Sequence, residues 1–176
     1  MKKLFVLVPV LILSVYISCG HMDKKEPPTS QEIIITASIG GRGLFFDSIP
    51  VIHIATTLYN PTKDTLRFLS MTCSYEGMYT TSDPAYEVQS RWDCFSNVPM
   101  VVALPPGART DHYIMIRKKN LADTSSLRSL KIGMYNPDLS TASTAQDIFD
   151  LYMKLKQQPV TWSPEIDLQR LNRTVY

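Results

Sequence analysis

The sequence predicts a mainly β fold: an antiparallel β-sandwich with one C-terminal helix before the last strand. Three observations predict it. From residue 33 onward apolar residues alternate with polar ones over short runs, the runs recur at spacings near ten residues, and Pro, Gly, Asn and Asp cluster between them. Only one segment, around residue 150, shows helical periodicity instead.

The first strand carries Ile33, Ile35, Ala37 and Ile39 on one face and is expected to end at Gly40, Gly41, Arg42 and Gly43, which read as a flexible turn. The second covers residues 51–59, with Ile52, Ile54, Thr56 and Leu58 on one side. Asn60, Pro61, Thr62, Lys63 and Asp64 then make a turn, since Asn and Asp side chains hydrogen-bond nearby backbone and Pro presets its own φ. The third strand, residues 65–73, is apolar on both faces, as a central strand would be. Further strands are expected at 99–104, closed by Pro105, Pro106 and Gly107, then at 110–117 and 127–135. Ser143 with Gln146 three residues later reads as a capping box opening a helix over 144–158. Ile148, Leu151, Tyr152 and Leu155 share its apolar side, and Pro159 stops it. A last strand over 160–168 carries Trp162.

Ahead of this domain stands a different kind of sequence. Met1, Lys2 and Lys3 precede an apolar run over 4–17 and then Ser18, Cys19 and Gly20, the layout of a secretory signal. The run is short for a membrane span, which takes about 20 apolar residues, and Pro9 interrupts it. Ser18 before Cys19 resembles the lipobox of bacterial lipoproteins, which implies diacylglycerol on the Cys19 thiol and cleavage that makes Cys19 the new amino terminus. Tyr16 stands where that pattern usually has Leu, a looseness similar to lipoproteins of the Bacteroidetes, and ordinary cleavage after Gly20 is the alternative. The expected division is a signal peptide over 1–18, lipidated cysteine and flexible tether over 19–31, and one domain over 32–176. Residues 20–31 are almost free of apolar side chains and include Pro27 and Pro28, as befits an extended tether. Asp23 close behind the lipid cysteine resembles a surface-export signal, but Lys24 and Lys25 follow it. Both the periplasmic face of the outer membrane and the cell surface stay open as locations.

The chain has 18 basic and 16 acidic residues; without Lys2 and Lys3 the balance is 16 to 16. A formally neutral domain with no basic run beyond Arg117, Lys118 and Lys119 argues against nucleic acid as a partner. With Cys19 taken by lipid, Cys73 and Cys94 form the natural pair for a disulfide in an oxidising compartment, two buried thiols being the alternative. A bridge closing roughly 22 residues restricts the unfolded chain by about 3 kcal/mol.

Chemistry-bearing patterns are sparse. There is no Gly-x-Ser-x-Gly elbow, His53 and His112 fall in expected strands, and Asp111 points away from its neighbour His112. The histidines and cysteines have no metal-ligand spacing, and the glycine run lacks the Lys and Ser or Thr of a phosphate loop. No catalytic residue, metal or cofactor is expected. The segment between Cys73 and Cys94 is the richest, setting Tyr75, Tyr79, Tyr86 and Trp92 among acidic side chains. Such aromatics serve as platforms for sugar rings or anchors in protein contacts. Trp92 has a core alternative, packed against a disulfide between two sheets.

Asn60 to Leu66, Ser70 to Ser74, Cys94 with Asn97 and Pro99, the turn from Leu104 to Gly107, and Thr161, Trp162, Ser163 together resemble small Bacteroidetes lipoproteins of uncharacterised activity. That resemblance covers about two thirds of the mature chain and implies an immunoglobulin-like sandwich. Asp47, Ser48, Ile49 and Asp64, Thr65, Leu66 are similar to the O-glycan attachment triplets of that group. The expected function is a membrane-anchored, non-enzymatic envelope lipoprotein that binds or assembles with a protein or glycan. A structural or protease-inhibitor-like lipoprotein is the alternative, with a hydrolase behind both.

Overall fold

The computed structural model describes residues 33–46, 48–90, 96–122 and 128–169. Two antiparallel layers enclose a single apolar cluster. In the first layer β1 (Ile34–Phe45) pairs with β2 (Ile49–Tyr59), β2 with β7 (Arg109–Lys118), and β7 with β5 (Tyr86–Gln89), giving the order β1-β2-β7-β5. The second layer contains β4 (Tyr79–Thr81), β9 (Ile132–Tyr135) and β10 (Val160–Trp162) in the order β10-β9-β4, with β8 (Ser129–Leu130) paired to β11 (Ile166–Asp167). The antiparallel pair of β3 (Leu66–Met71) and β6 (Pro99–Leu104) completes the frame. The period-two pattern does what it should: Ile35, Ile54, Leu58, Ile114 and Ile116 turn inward and meet Phe68, Leu69, Ile132 and Met134 in one buried cluster. One helix, α1 (Ala145–Met153), falls between β9 and β10 in sequence and lies beside β6. This is the expected mainly β sandwich with its helix before the last strands, and no helix among the described residues is long and apolar enough to cross a membrane.

Several local expectations are corrected. Gly40 to Gly43 do not turn; β1 runs through them to Phe45, which pairs with Ile49 at the start of β2. Gly41, at φ +148°, absorbs a β-bulge between Ile39 and Gly41, after which pairing resumes as Arg42 with Ile52 and Gly43 with Val51. Apart from exposed Arg67, residues 66–71 are buried on both sides, but β3 hydrogen-bonds only to β6 among the described strands, so it is not central. Packing supplies its double burial, in part against the 3-10 turn Tyr75–Met78.

The strand expected over 127–135 is divided at Lys131 into β8 and β9, and that over 160–168 is divided into β10 and β11. Pro164 lacks an N–H and cannot continue the ladder. Ser163 bridges the gap: its N–H donates to the Ile132 carbonyl at 2.8 Å, and its Oγ accepts from the Ile132 N–H at 3.1 Å. The capping box sits one residue later than expected. Thr144 Oγ1 accepts from Asp147 N at 3.1 Å, and Asp147 Oδ2 accepts from Thr144 N at 2.8 Å, leaving Ser143 as an extra donor to the same carboxylate. The helix ends at Met153 and a 3-10 turn, Leu155–Gln157, carries the chain toward Pro159.

Asn60 ties the two main turns together. It is fully buried, and its Nδ2 donates to the carbonyls of Asp64 at 2.7 Å and Leu104 at 2.8 Å. Its Oδ1 accepts from Thr62 N and Oγ1. Its backbone N–H donates to the Ala108 carbonyl, and its own carbonyl accepts from Gly107 N–H. Every hydrogen-bonding group of this buried side chain is used, as burial demands.

Candidate functional site

The stretch after Cys73, rich in aromatic side chains, folds into the 3-10 turn Tyr75–Met78 followed by β4 and β5. It is fastened to β7 by a cluster of rings. His112, on the inward side of β7, stacks on Tyr75 with centroids 4.2 Å apart and planes 18° apart. Its Nδ1 lies 2.6 Å from the Tyr79 hydroxyl. Burial pushes the Tyr79 phenol well above its ordinary value, only partly offset by a hydrogen bond with Thr56, so it stays protonated. A phenol held in that state donates to Nδ1, which puts the neutral ring's proton on Nε2. Burial likewise holds His112 below the usual histidine range, against a smaller upward pull from Asp111.

Tyr75 makes a second connection. β5 ends at Gln89, opposite Met115, so Tyr113 faces an edge that β5 does not reach. The Tyr75 hydroxyl occupies that place, donating to the Tyr113 carbonyl and accepting from the Tyr113 N–H, both at 3.1 Å. One side chain thus satisfies two edge groups of the ladder.

β4 and β5 stand at the edges of their respective sheets. Where these edges approach each other, the turn at the end of α1 closes one side and leaves an open cleft of about 780 Å³. Tyr79 and Tyr86 border it from the core side, and Tyr135 and Tyr152 border it from β9 and α1. Thr80, Ser90 and Gln157 add hydroxyl and amide groups, while Lys119, Lys154 and Lys156 supply cationic heads. The size suits a small ligand or a short polymer segment. Glu87, on the same margin, is already engaged: Arg117 Nη2 lies 2.7 Å from its carboxylate. Glu76 is buried and accepts from Ser74 Oγ at 2.8 Å.

Of the four aromatic candidates, the structure brings Tyr79 and Tyr86 to the cleft, both deeply buried. The Tyr86 ring also has Lys118 Nζ 5.8 Å from its centroid. Tyr75 is committed to His112 and Tyr113 and does not line the cleft, and Trp92 lies outside the described residues. Cys73 is disulfide-bonded. Cys19 and Cys94 lie outside the described residues, but Ser96 and Asn97 hydrogen-bond to Thr72, Cys73 and Ser74, two to three positions from Cys94 in sequence. Of the O-glycan-like triplets, Asp47 lies outside the described residues, and Thr65 is exposed just before β3.

Sequence reading missed Tyr135, Tyr152 and the three lysines. Tyr152 was recognised as part of the helix's apolar side, but nothing local says that this side borders a cleft rather than a closed core. Among the described residues no three His, Cys, Asp or Glu side chains come together as a metal site. No known protein family matches the sequence, and no curated protein shows significant similarity to it.

Proposed function

We propose that this chain is a lipid-anchored envelope protein whose globular part is a non-enzymatic recognition module, binding a glycan or protein near the membrane through the cleft between β4, β5 and the end of α1. The observation that carries this reading is the cleft itself: two sheet edges left open to one side, with tyrosine, hydroxyl, amide and ammonium groups converging from β4, β5, β9, α1 and the turn after it, and from Lys119 just beyond β7. Cys19 as the lipid site and the tether over 20–31 set the module a short distance from the bilayer. The residues around the cleft offer binding groups rather than a nucleophile paired with a base. Tyr79 lines the cleft but is hydrogen-bonded to His112, and that pair is used to hold the segment to β7.

A photo-crosslinking residue placed at Met153, which is 67% exposed on the cleft margin, or at Tyr113, equally exposed on the outward face of the first sheet, tests this in the native envelope. Adducts from Met153 and none from Tyr113 are expected. Adducts from Tyr113 alone, or equally from both, would move recognition away from the cleft.

A further inference from the structure

We infer that the cleft takes an acidic oligosaccharide, one whose sugar rings carry carboxylates, an inference that rests on the recognition reading above and names its ligand class. The charge distribution is the first ground. The chain beyond its leader is formally balanced, 16 basic against 16 acidic, yet the cleft collects Lys119 from the end of β7 and Lys154 and Lys156 from the turn after α1. None of the three has an ion pair among the described residues. The two acidic side chains at the same place are directed elsewhere: Glu87 is paired with Arg117, and Glu76 is buried and accepts from Ser74. A neutral ligand would leave three ammonium groups idle, whereas a chain of carboxylates meets them at the rim.

The second ground is what the lining lacks. A peptide anchor needs a closed apolar socket for an aromatic or aliphatic side chain. Here Leu155 is buried, Met153 projects into solvent, and Val88 is a single half-buried aliphatic side chain packed against the core, so the three do not build such a socket. The lining instead offers Tyr135 and Tyr152, both half-buried, with Thr80, Ser90 and Gln157, groups that suit the hydroxyls and C–H faces of sugar rings. Acidic peptide is therefore the disfavoured source of the same negative charge.

The test uses the full-length protein in detergent, titrated with polygalacturonate, with its fully methyl-esterified counterpart and with poly-glutamate. Polygalacturonate should bind at least tenfold more tightly than the ester, and raising salt from low to physiological strength should weaken it several-fold. The combined Lys119→Gln, Lys154→Gln and Lys156→Gln variant should lose about tenfold or more, since each exposed pair contributes up to roughly fivefold. Its thermal midpoint should stay unchanged, which separates lost binding from lost folding. Equal binding of the ester, an unaffected triple variant, no binding of polygalacturonate, or poly-glutamate binding as tightly would each overturn the inference. If Met153 crosslinks persist in the envelope while polygalacturonate fails, the ligand class is wrong and the cleft reading stands; if both fail, the cleft reading falls as well.

Discussion

Replacing Asn60 by Asp exchanges a single heavy atom, the amide nitrogen for an oxygen, and should cost several kcal/mol of stability. Asn60 Nδ2 donates to two carbonyls, of Asp64 at 2.7 Å and of Leu104 at 2.8 Å, from a fully buried position. In Asn60→Asp an acceptor oxygen faces both carbonyls. Two hydrogen bonds of about 1 kcal/mol each are lost, and the desolvated carbonyls and a poorly solvated charge add to the loss, for about 3–5 kcal/mol in all. With a urea slope of roughly 2 kcal/mol per molar, the unfolding midpoint should drop by about 2 M. The pH dependence fixes the cause. Burial beside two carbonyls raises the introduced carboxyl's folded pKa above its unfolded value of about 3.9, so the variant's stability deficit is smallest below that value and grows as pH rises through the folded pKa. Once protonated, the group donates to one carbonyl and recovers part of the loss. Urea curves for both proteins at pH 4 and pH 7 measure this. A midpoint shift under 0.5 M at pH 7, or a deficit that does not shrink on acidification, would refute the assignment of Asn60 as the tie between the two turns.

Three further outcomes follow from the same packing. At Gly133 a Cβ would meet Val160 Cγ1 at 2.4 Å and the Trp162 ring at 2.8 Å, so Gly133→Ala should force β10 off β9, costing about 1–3 kcal/mol and changing Trp162 fluorescence. His112 is held neutral by burial, so the unfolded chain binds its proton more readily; stability should fall as pH drops below about 6.5 until the folded pKa is reached, and His112→Gln should remove that slope in urea titrations. Tyr75→Phe strips the shared hydroxyl from Tyr113 N–H and C=O, and at this solvent-accessible edge it should cost about 1 kcal/mol and speed hydrogen exchange at the Tyr113 amide.

The strand layout was legible because alternation reports burial directly. Ile33, Ile35, Ile54, Thr56 and Leu58 point inward as their spacing requires, and the Asn60 turn lies where its composition puts it. Legibility failed where a side chain or a bulge overrides the local signal. Gly40 to Gly43 carry turn chemistry but are paired along β2 through a bulge, information held by the partner strand. The box at Thr144 and Asp147 differs from the expected one at Ser143 and Gln146 by a single step, because Asp reaches back to two N–H groups at once. The cleft was only half visible. Tyr79 and Tyr86 stood out as aromatics in an acidic stretch, but Tyr135, Tyr152, Lys119, Lys154 and Lys156 reach it from parts of the chain far from both, and no local pattern marks their convergence.

A recognition role near the membrane requires first that this module be held there. Intact mass spectrometry of the polypeptide extracted from the producing cell's membranes should give a chain beginning at Cys19 and heavier than its sequence by a diacylglyceryl group and an additional acyl chain, with Cys19→Ala released from the membrane fraction. A chain that retains residues 1–18, or that begins beyond Cys19 with an unmodified residue, would contradict the anchoring and the envelope role built on it.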